Sequence, residues 1–471
     1  MFFAWFGAVA SAADEPASRV GRVSIVAGPV QYQAPTGGWA DALVNEPVAA
    51  DTALRTRSAA EAEWRGIGTG VALAPESELR VLRFDHDVLQ IALAGGRIGV
   101  RLDRGGGTPK TVEIDLPQGG VWLTAPGSYD IAAGDEHGLP GIQVFSGKAR
   151  VGGGLEESHI VAAKADWFSD WWRSRDDSAD RSASGSRHTI TGITALGQAG
   201  RWEHDSNLGD VWYPSDVVAG WTPYRDGVWR FLPPWGWTWV PAETWAFAPS
   251  HYGRWVRIPG SSPGISRWGW VPGKGLATAA YSPAQVAFLG TAGIGLSRPG
   301  DIGTSPAVAW FPLAPGEKMN TEADADGQYQ NRRFATAVPR AVFAGGQPVA
   351  NALVDDVPAT RFAAAPVILQ GLGIAPADPT PPVAAKKRNI ETSAVKHVAA
   401  ARRAVIVASA HGPPARHLTH DARPHPHVAK AAIRPHPHAT AAVATRPHPL
   451  ATAPHSPHNR QHLAAARGGG A

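Results

Sequence analysis

Residues 221–255 read WTPYRDGVWRFLPPWGWTWVPAETWAFAPSHYGRW, and this stretch decides the fold. It holds two versions of one unit, WTPYRDGVW (Trp221 to Trp229) and WAFAPSHYGRW (Trp245 to Trp255). Each runs from a Trp through a Pro-led turn and Tyr or His-Tyr to a Gly, and then to a Trp on an outgoing strand. Pro fixes φ at a turn entry, while Gly supplies the positive φ of a tight connection. Trp235, Trp237 and Trp239 alternate as residues on one face of a strand do. A Trp-x-Pro element recurs at Trp212-Tyr213-Pro214, Trp239-Val240-Pro241 and Trp270-Val271-Pro272, at spacings of 27 and 31. Such repetition predicts antiparallel hairpins that stack, because a lone hairpin is marginal in water. The two Trp-to-Trp units are themselves read as hairpins.

Composition extends this reading to the whole chain. Of 471 residues, 19 are Trp against 7 Tyr and 13 Phe, with 53 Gly and 41 Pro, which suits short strands and tight turns. The predicted fold class is all-β. Cysteine is absent, which excludes disulfides, thiolate metal sites and thiol nucleophiles.

From Arg19 to about Gly153, short alternating apolar runs are separated by Gly, Pro and Asp, as in a β-meander, roll or sandwich. Four pieces in order carry a resemblance to the periplasmic FecR-like module over about residues 19–152, within a β-domain read at 19–153. They are Gly21-Arg22-Val23 with Gly28-Pro29-Val30, Leu54-Arg55-Thr56 before Ala60-Glu61-Ala62-Glu63, Leu73-Ala74-Pro75-Glu76-Ser77, and Val144 to Val151. The resemblance implies a β-domain of the periplasm, and with it a signalling role as one functional reading. Gly66-Ile67-Gly68-Thr69-Gly70 joins two strands rather than a strand to a helix, so it is read as a hairpin turn and not a nucleotide loop.

Residues 154–195 read as a polar connector with a short helix, in which Trp167 and Trp171 stand one turn apart to dock their indoles. Residues 1–13 resemble an export signal that lacks its basic front, with Ala10-Ser11-Ala12 as the cleavage pattern. No other stretch approaches a membrane span, so the expected location is the periplasm or cell envelope.

The segment at about 196–318 resembles an uncharacterised tryptophan-rich domain family of bacterial envelope proteins. GDVWYP, GWTPYRDGVW, PWGWTWVP, WAFAPSHYGRW, RWGWVPG and Ala309 to Glu317 carry that resemblance. It implies architecture and an envelope setting, not chemistry. Eleven Trp fall between Trp202 and Trp270, and two readings compete for them. Each indole can bury 150 to 250 Å² and so replace an aliphatic core, or it can stack on a sugar face. The candidate ligand-binding set is Trp221, Tyr224, Arg225, Trp229, Trp237, Trp245, His251, Tyr252, Arg254 and Trp255.

Catalysis lacks a metalloprotease signature, with no H-E-x-x-H pair, and His251 reads as a turn histidine. Asp226 and Glu243 could serve as the two carboxylates of a glycosidase, whose required separation a sequence does not show. No cofactor motif is present. Residues 319–382 read as irregular. From Val383 the chain carries 13 Lys and Arg against Glu391 and Asp421, with 12 of the 18 His, in an Ala/Pro/His/Arg-rich stretch expected to be disordered. His425, His427, His436 and His438 in its RPHPH repeats are weak metal ligands. The tail would hold anionic polymer by charge, and nucleic acid is disfavoured because export separates the two.

The sequence therefore describes a non-catalytic exported envelope protein. Its β modules bind or scaffold envelope polysaccharide, peptidoglycan or an envelope protein. The alternatives are a FecR-like signalling protein and a cryptic carbohydrate-active enzyme.

Overall fold

The computed structural model describes residues 19–105, 107–134, 139–182, 190–259, 266–273, 279–290, 307–317, 329–354, 359–368, 372–376 and 406–409. The export-like segment, His425, His427, His436, His438 and almost all of the tail lie outside these residues, as does the separate unit Pro414–Ala471. The fold is all-β, with several antiparallel sheets.

Residues 19–161 form two facing sheets. The first runs Ile160–Val161, Gly141–Ser146, Gly127–Ala132, Arg97–Leu102, Thr69–Leu73, Glu61–Gly66, Gly21–Ala27, Pro47–Val48. The second includes Lys148–Gly153, Gly119–Leu123, Thr111–Leu116, Val88–Gly95, Glu78–Phe84, Ala53–Thr56 and Val30–Gln33. Val23, Trp64, Val71 and Ile98 of one sheet share a core with Leu54, Val81, Ile91 and Ile114 of the other. The arrangement is a sandwich and not a meander. The chain passes repeatedly between sheets, and Thr111–Leu116 pairs in parallel with Val88–Gly95.

Two of the sequence motifs turn out to be corner pins of this sandwich. Thr56 Oγ1 donates to Ala74 O at 2.6 Å and accepts from Ser77 N at 3.0 Å. Ser77 Oγ in turn accepts from Arg97 N at 2.9 Å. Gly96, at φ +80°, makes the step between sheets, where a Cβ would lie 2.5 Å from Ser77 Cα. Gly66 to Gly70 is the expected hairpin turn, with Gly68 at φ +68°.

The helix at Trp167–Ser182 is longer than expected, and it docks by a different face. Asp166 and Ser169 cap it reciprocally: Ser169 N donates to Asp166 Oδ1 at 2.9 Å, and Asp166 N donates to Ser169 Oγ at 2.8 Å. Phe168 and Trp172, one turn apart, bury against Ala72 and Ala74. Trp167 stays 58% exposed. Gly99 makes the docking possible, since a Cβ there would lie 2.4 Å from the Trp172 indole. The helix is therefore part of the sandwich rather than a tether.

In the tryptophan-rich region the hairpins are Gly200–Asp205 with Gly209–Pro214, Gly227–Leu232 with Gly236–Pro241, and Arg254–Pro259 with Ser266–Val271. The two Trp-to-Trp units are not hairpins but approaches to them. Residues 221–226 form a turn and Phe247–His251 a short helix, and only Trp229 and Trp255 stand on strands. Each hairpin instead faces Trp with Trp across its strands: Trp202 with Trp212, Trp229 with Trp239, Trp255 with Trp270. Gly200, Gly227 and Gly253 leave room for the second indole, which an added Cβ would meet at 2.5 to 2.7 Å.

A fourth hairpin, Val286–Leu289 with Ala307–Pro312, repeats the plan with Phe288 facing Trp310. Its Trp-x-Pro element, Trp310-Phe311-Pro312, was the available signal. Trp212, Trp239, Trp270 and Trp310 are all fully buried. The segment read as irregular contributes to the same core. Thr336–Pro339 pairs with Ala307–Pro312, and fully buried Phe343 packs on Trp229 at 5.3 Å and Trp237 at 4.5 Å between ring centres. Ile406–Ser409 departs from the expected disorder by pairing antiparallel with Lys148–Gly153 at a sheet edge.

Candidate functional site

The candidate residues divide by burial. Tyr224, Trp229, His251, Tyr252 and Trp255 lie in the core and present no face to a ligand. Their polar atoms are largely used internally. Trp255 Nε1 donates to Pro249 O at 3.0 Å, and Tyr224 Oη donates to Ser250 O at 2.8 Å. His251 lies against Phe247 and Tyr281, with Nδ1 at 2.8 Å from Ser282 O. Burial pulls its pKa down to about 4, so it is neutral at ordinary pH.

Arg254 and Arg225 are half-buried and engaged with the chain itself. Arg254 donates to Gln285 Oε1 and Glu317 O, and Arg225 Nε to Thr336 Oγ1 at 3.3 Å. Trp237 donates to Ile374 O at 3.0 Å and packs beside exposed Phe231 at the hairpin tip.

Trp221 and Trp245 remain together as a half-buried pair, 5.8 Å apart at 52°. Core indoles support both: Trp255 lies 5.5 Å from Trp221, and Trp212 lies 4.9 Å from Trp245. Trp221 Nε1 donates to Glu243 Oε1 at 2.9 Å, and its backbone N–H donates to the carbonyl of Val218, which is 77% exposed. Burial raises the Glu243 carboxyl above the ordinary range, with the Asp226 charge adding to that and the Trp221 bond opposing it. The result is a tilted aromatic surface with a carboxylate at its rim, suited to an apolar ring face that carries hydroxyl donors.

The sandwich holds the loop that presents this surface. Asn45, in the left-handed region at φ 68°, donates from Nδ2 to Pro241 O at 3.0 Å and Glu243 O at 2.8 Å. Arg22 Nη1 donates to Asn45 Oδ1 at 2.7 Å and Thr244 O at 3.1 Å. Arg230 pairs with fully buried Glu46, whose carboxyl burial pushes up to about 6 against the pull of that guanidinium. Apolar side chains cross the same seam, with Leu232 in the sandwich core and Val20 in the tryptophan core. Asn45, Arg22 and Val218 were not among the candidate residues. A turn is legible in Leu43 to Pro47, but a partner nearly 200 residues away is not.

Among the described residues, no group of three or more His, Asp or Glu could hold a metal ion. No helix among them is long and apolar enough to cross a membrane. Residues 193–317 match a family of unknown function, DUF6600, over the four-hairpin region. No curated protein and no solved structure matches the chain.

Proposed function

We propose that this is a non-catalytic, exported protein of the cell envelope that binds glycan or scaffolds an envelope protein through the Trp221–Trp245 surface. The observation that carries the reading is this pair: two indoles left half-buried beside Glu243, on a loop anchored by Asn45, while their neighbours are packed into the core. A rigid, supported aromatic surface loses little freedom on binding, which favours affinity. In this reading the sandwich is a FecR-like module of the periplasm, and the basic tail holds anionic envelope polymer by charge.

Calorimetric titration of the full chain with soluble peptidoglycan fragments and envelope polysaccharides tests the proposal. Trp245→Ala should weaken a saturable interaction by about tenfold or more, as stacking contacts of about 1–3 kcal/mol predict. No binding across the panel, or binding unchanged in Trp221→Ala and Trp245→Ala alike, would remove the glycan reading.

The raised Glu243 carboxyl beside Asp226 favours one second reading, a carbohydrate-active enzyme with Glu243 as the acid. Turnover of any panel glycan that disappears in Glu243→Gln, with the melting temperature retained, would establish it.

A further inference from the structure

The Trp221–Trp245 surface differs in charge from the other aromatic clusters of its region. Elsewhere the rings take cations from their own chain: Arg201 and Arg267 lie over Tyr213, and Arg257 lies over Trp268 and Phe334. Among the described residues, no arginine or lysine lies over Trp221 or Trp245. A ring face carries negative partial charge, so half-buried indoles without an internal cation can take one from a ligand.

The carboxylates beside them point to the same chemistry. Glu243 Oε1 accepts from Trp221 Nε1 at 2.9 Å, and its Oε2 receives no hydrogen bond among the described residues. Asp226 stands next to this loop, its carbonyl accepting from Ala242 N at 3.1 Å. Neither carboxylate forms a salt bridge among the described residues. Glu203 in the neighbouring hairpin, by contrast, is paired with both Arg201 and Arg267.

The nearest basic residues are directed elsewhere. Arg225, the one basic residue within 215–226 and 242–246, donates from Nε to Thr336 Oγ1 at 3.3 Å. Arg22 reaches Thr244 O from the sandwich, where Glu63 and Arg65 are the charges that act on it. The consequence is visible at Glu243, whose carboxyl is raised by burial and by the Asp226 charge, with only hydrogen bonds opposing them. A carboxylate so placed is stabilised by a positive charge that a ligand brings.

We propose that the glycan taken by this surface is an amino sugar with a free ammonium group, its ring lying on the Trp221 and Trp245 indoles and its ammonium donating to Glu243 Oε2. This names the ligand class within the glycan reading above and rests on it. An ammonium supplies the charge that both the carboxylates and the ring faces attract, whereas a hydroxyl supplies only a donor. An N-acetylated sugar has lost that charge. An acidic sugar would meet Glu243 and Asp226 with charge of the same sign. The ligand is therefore a hexosamine unit without its acetyl group.

Calorimetric titration of the full chain with the trisaccharide of glucosamine, against the trisaccharide of N-acetylglucosamine in the same buffer and salt, tests the proposal. The free amine should bind about tenfold more tightly or better, as one charge-assisted bond predicts. Glu243→Gln keeps an acceptor for Trp221 Nε1 and removes the charge, so it should bring the two affinities together. Asp226→Asn, at an exposed position, should narrow the preference by about twofold and serves as the probe if Glu243→Gln fails to fold. Equal binding of the two trisaccharides, lost in Trp245→Ala, overturns the ammonium assignment and leaves the glycan reading standing; binding of neither overturns both. A preference that persists undiminished in folded Glu243→Gln and Asp226→Asn also overturns it, because these carboxylates would not be its source. Nα-acetyl-lysine amide carries an ammonium without a sugar ring. If it binds as tightly as the glucosamine trisaccharide, the occupant is a peptide amine and the amino-sugar proposal fails.

Discussion

The two β regions solve one problem with different materials. The sandwich fills its core with Val, Ile and Leu around a few aromatics, and it fixes its corners with hydroxyls such as Thr56 and Ser77. The tryptophan-rich region builds on strands of similar length, several of them opening on glycine, and fills its core with facing indoles. An indole brings more area but also an N–H that needs an acceptor. Trp212, Trp270 and Trp310 donate theirs to the carbonyls of Leu196, Tyr252 and Tyr224 at 2.9 to 3.1 Å. An aliphatic core tolerates small adjustments, whereas an indole core ties packing to the course of its loops.

The largest expected contrast comes from Trp270→Ala, which removes a fully buried indole and leaves Tyr252 O without its donor. Denaturant unfolding should show a loss of about 3–5 kcal/mol. A loss below about 1 kcal/mol would mean that the indoles do not form a packed core.

The next contrast is in pH dependence. The His251 pKa is lowered from 6.5 to about 4, so the folded state holds the neutral ring and the unfolded state takes the proton first. Its stabilisation is complete above pH 6.5 and is lost as pH falls toward 4, by up to about 1.4 kcal/mol per pH unit. Glu46 at the seam has the opposite sign. Its pKa is raised from 4.5 to about 6, so its contribution is fully present below 4.5 and is lost as pH rises through 6. Melting curves across this range should flatten on the acid side in His251→Asn, which keeps a donor for Ser282 O, and should be unchanged there if the ring is not buried.

Gly253→Ala sharpens the comparison at a single atom. Gly253 lies at φ +62°, and a Cβ would meet Val271 O at 2.4 Å and Trp270 Nε1 at 2.7 Å. A cost of about 1–3 kcal/mol is expected. Asn45→Gly, which keeps the left-handed backbone and removes only the side chain, should cost about 1–3 kcal/mol. It should also raise hydrogen exchange at residues 241–246; exchange left at the native rate would mean that the seam does not hold the loop. The smallest effect belongs to the sandwich, where Ile114→Val should cost only about 0.5–1.5 kcal/mol in the same unfolding assay.

Much of this architecture is legible in the chain. Alternation marks the strands, and Trp-x-Pro marks the outgoing arm of each hairpin, because Pro cannot continue the ladder. The hairpin partners were misjudged because Pro and Gly within WTPYRDGVW and WAFAPSHYGRW signal a turn without saying whether a strand or a helical turn precedes it. The helical face was misjudged for a related reason. Trp167 and Trp171 share the period of Phe168 and Trp172, and only the small residues Ala72 and Gly99 opposite select the second pair.

The same limit applies to the candidate site. Sequence placed Trp221, Trp245, Trp229 and Trp255 in one class, since each is a Trp beside Pro and Gly, and burial then separated them into surface and core.

Sequence by itself determined the all-β class, the hairpin repeat and the absence of thiol chemistry, because these follow from local residue preferences and periodicity. Tertiary structure alone decided which indoles stay at the surface and which module holds the Glu243 loop. Each of those depends on register and contact between segments far apart in the chain. Cross-strand neighbours are set by pairing, which no local pattern encodes.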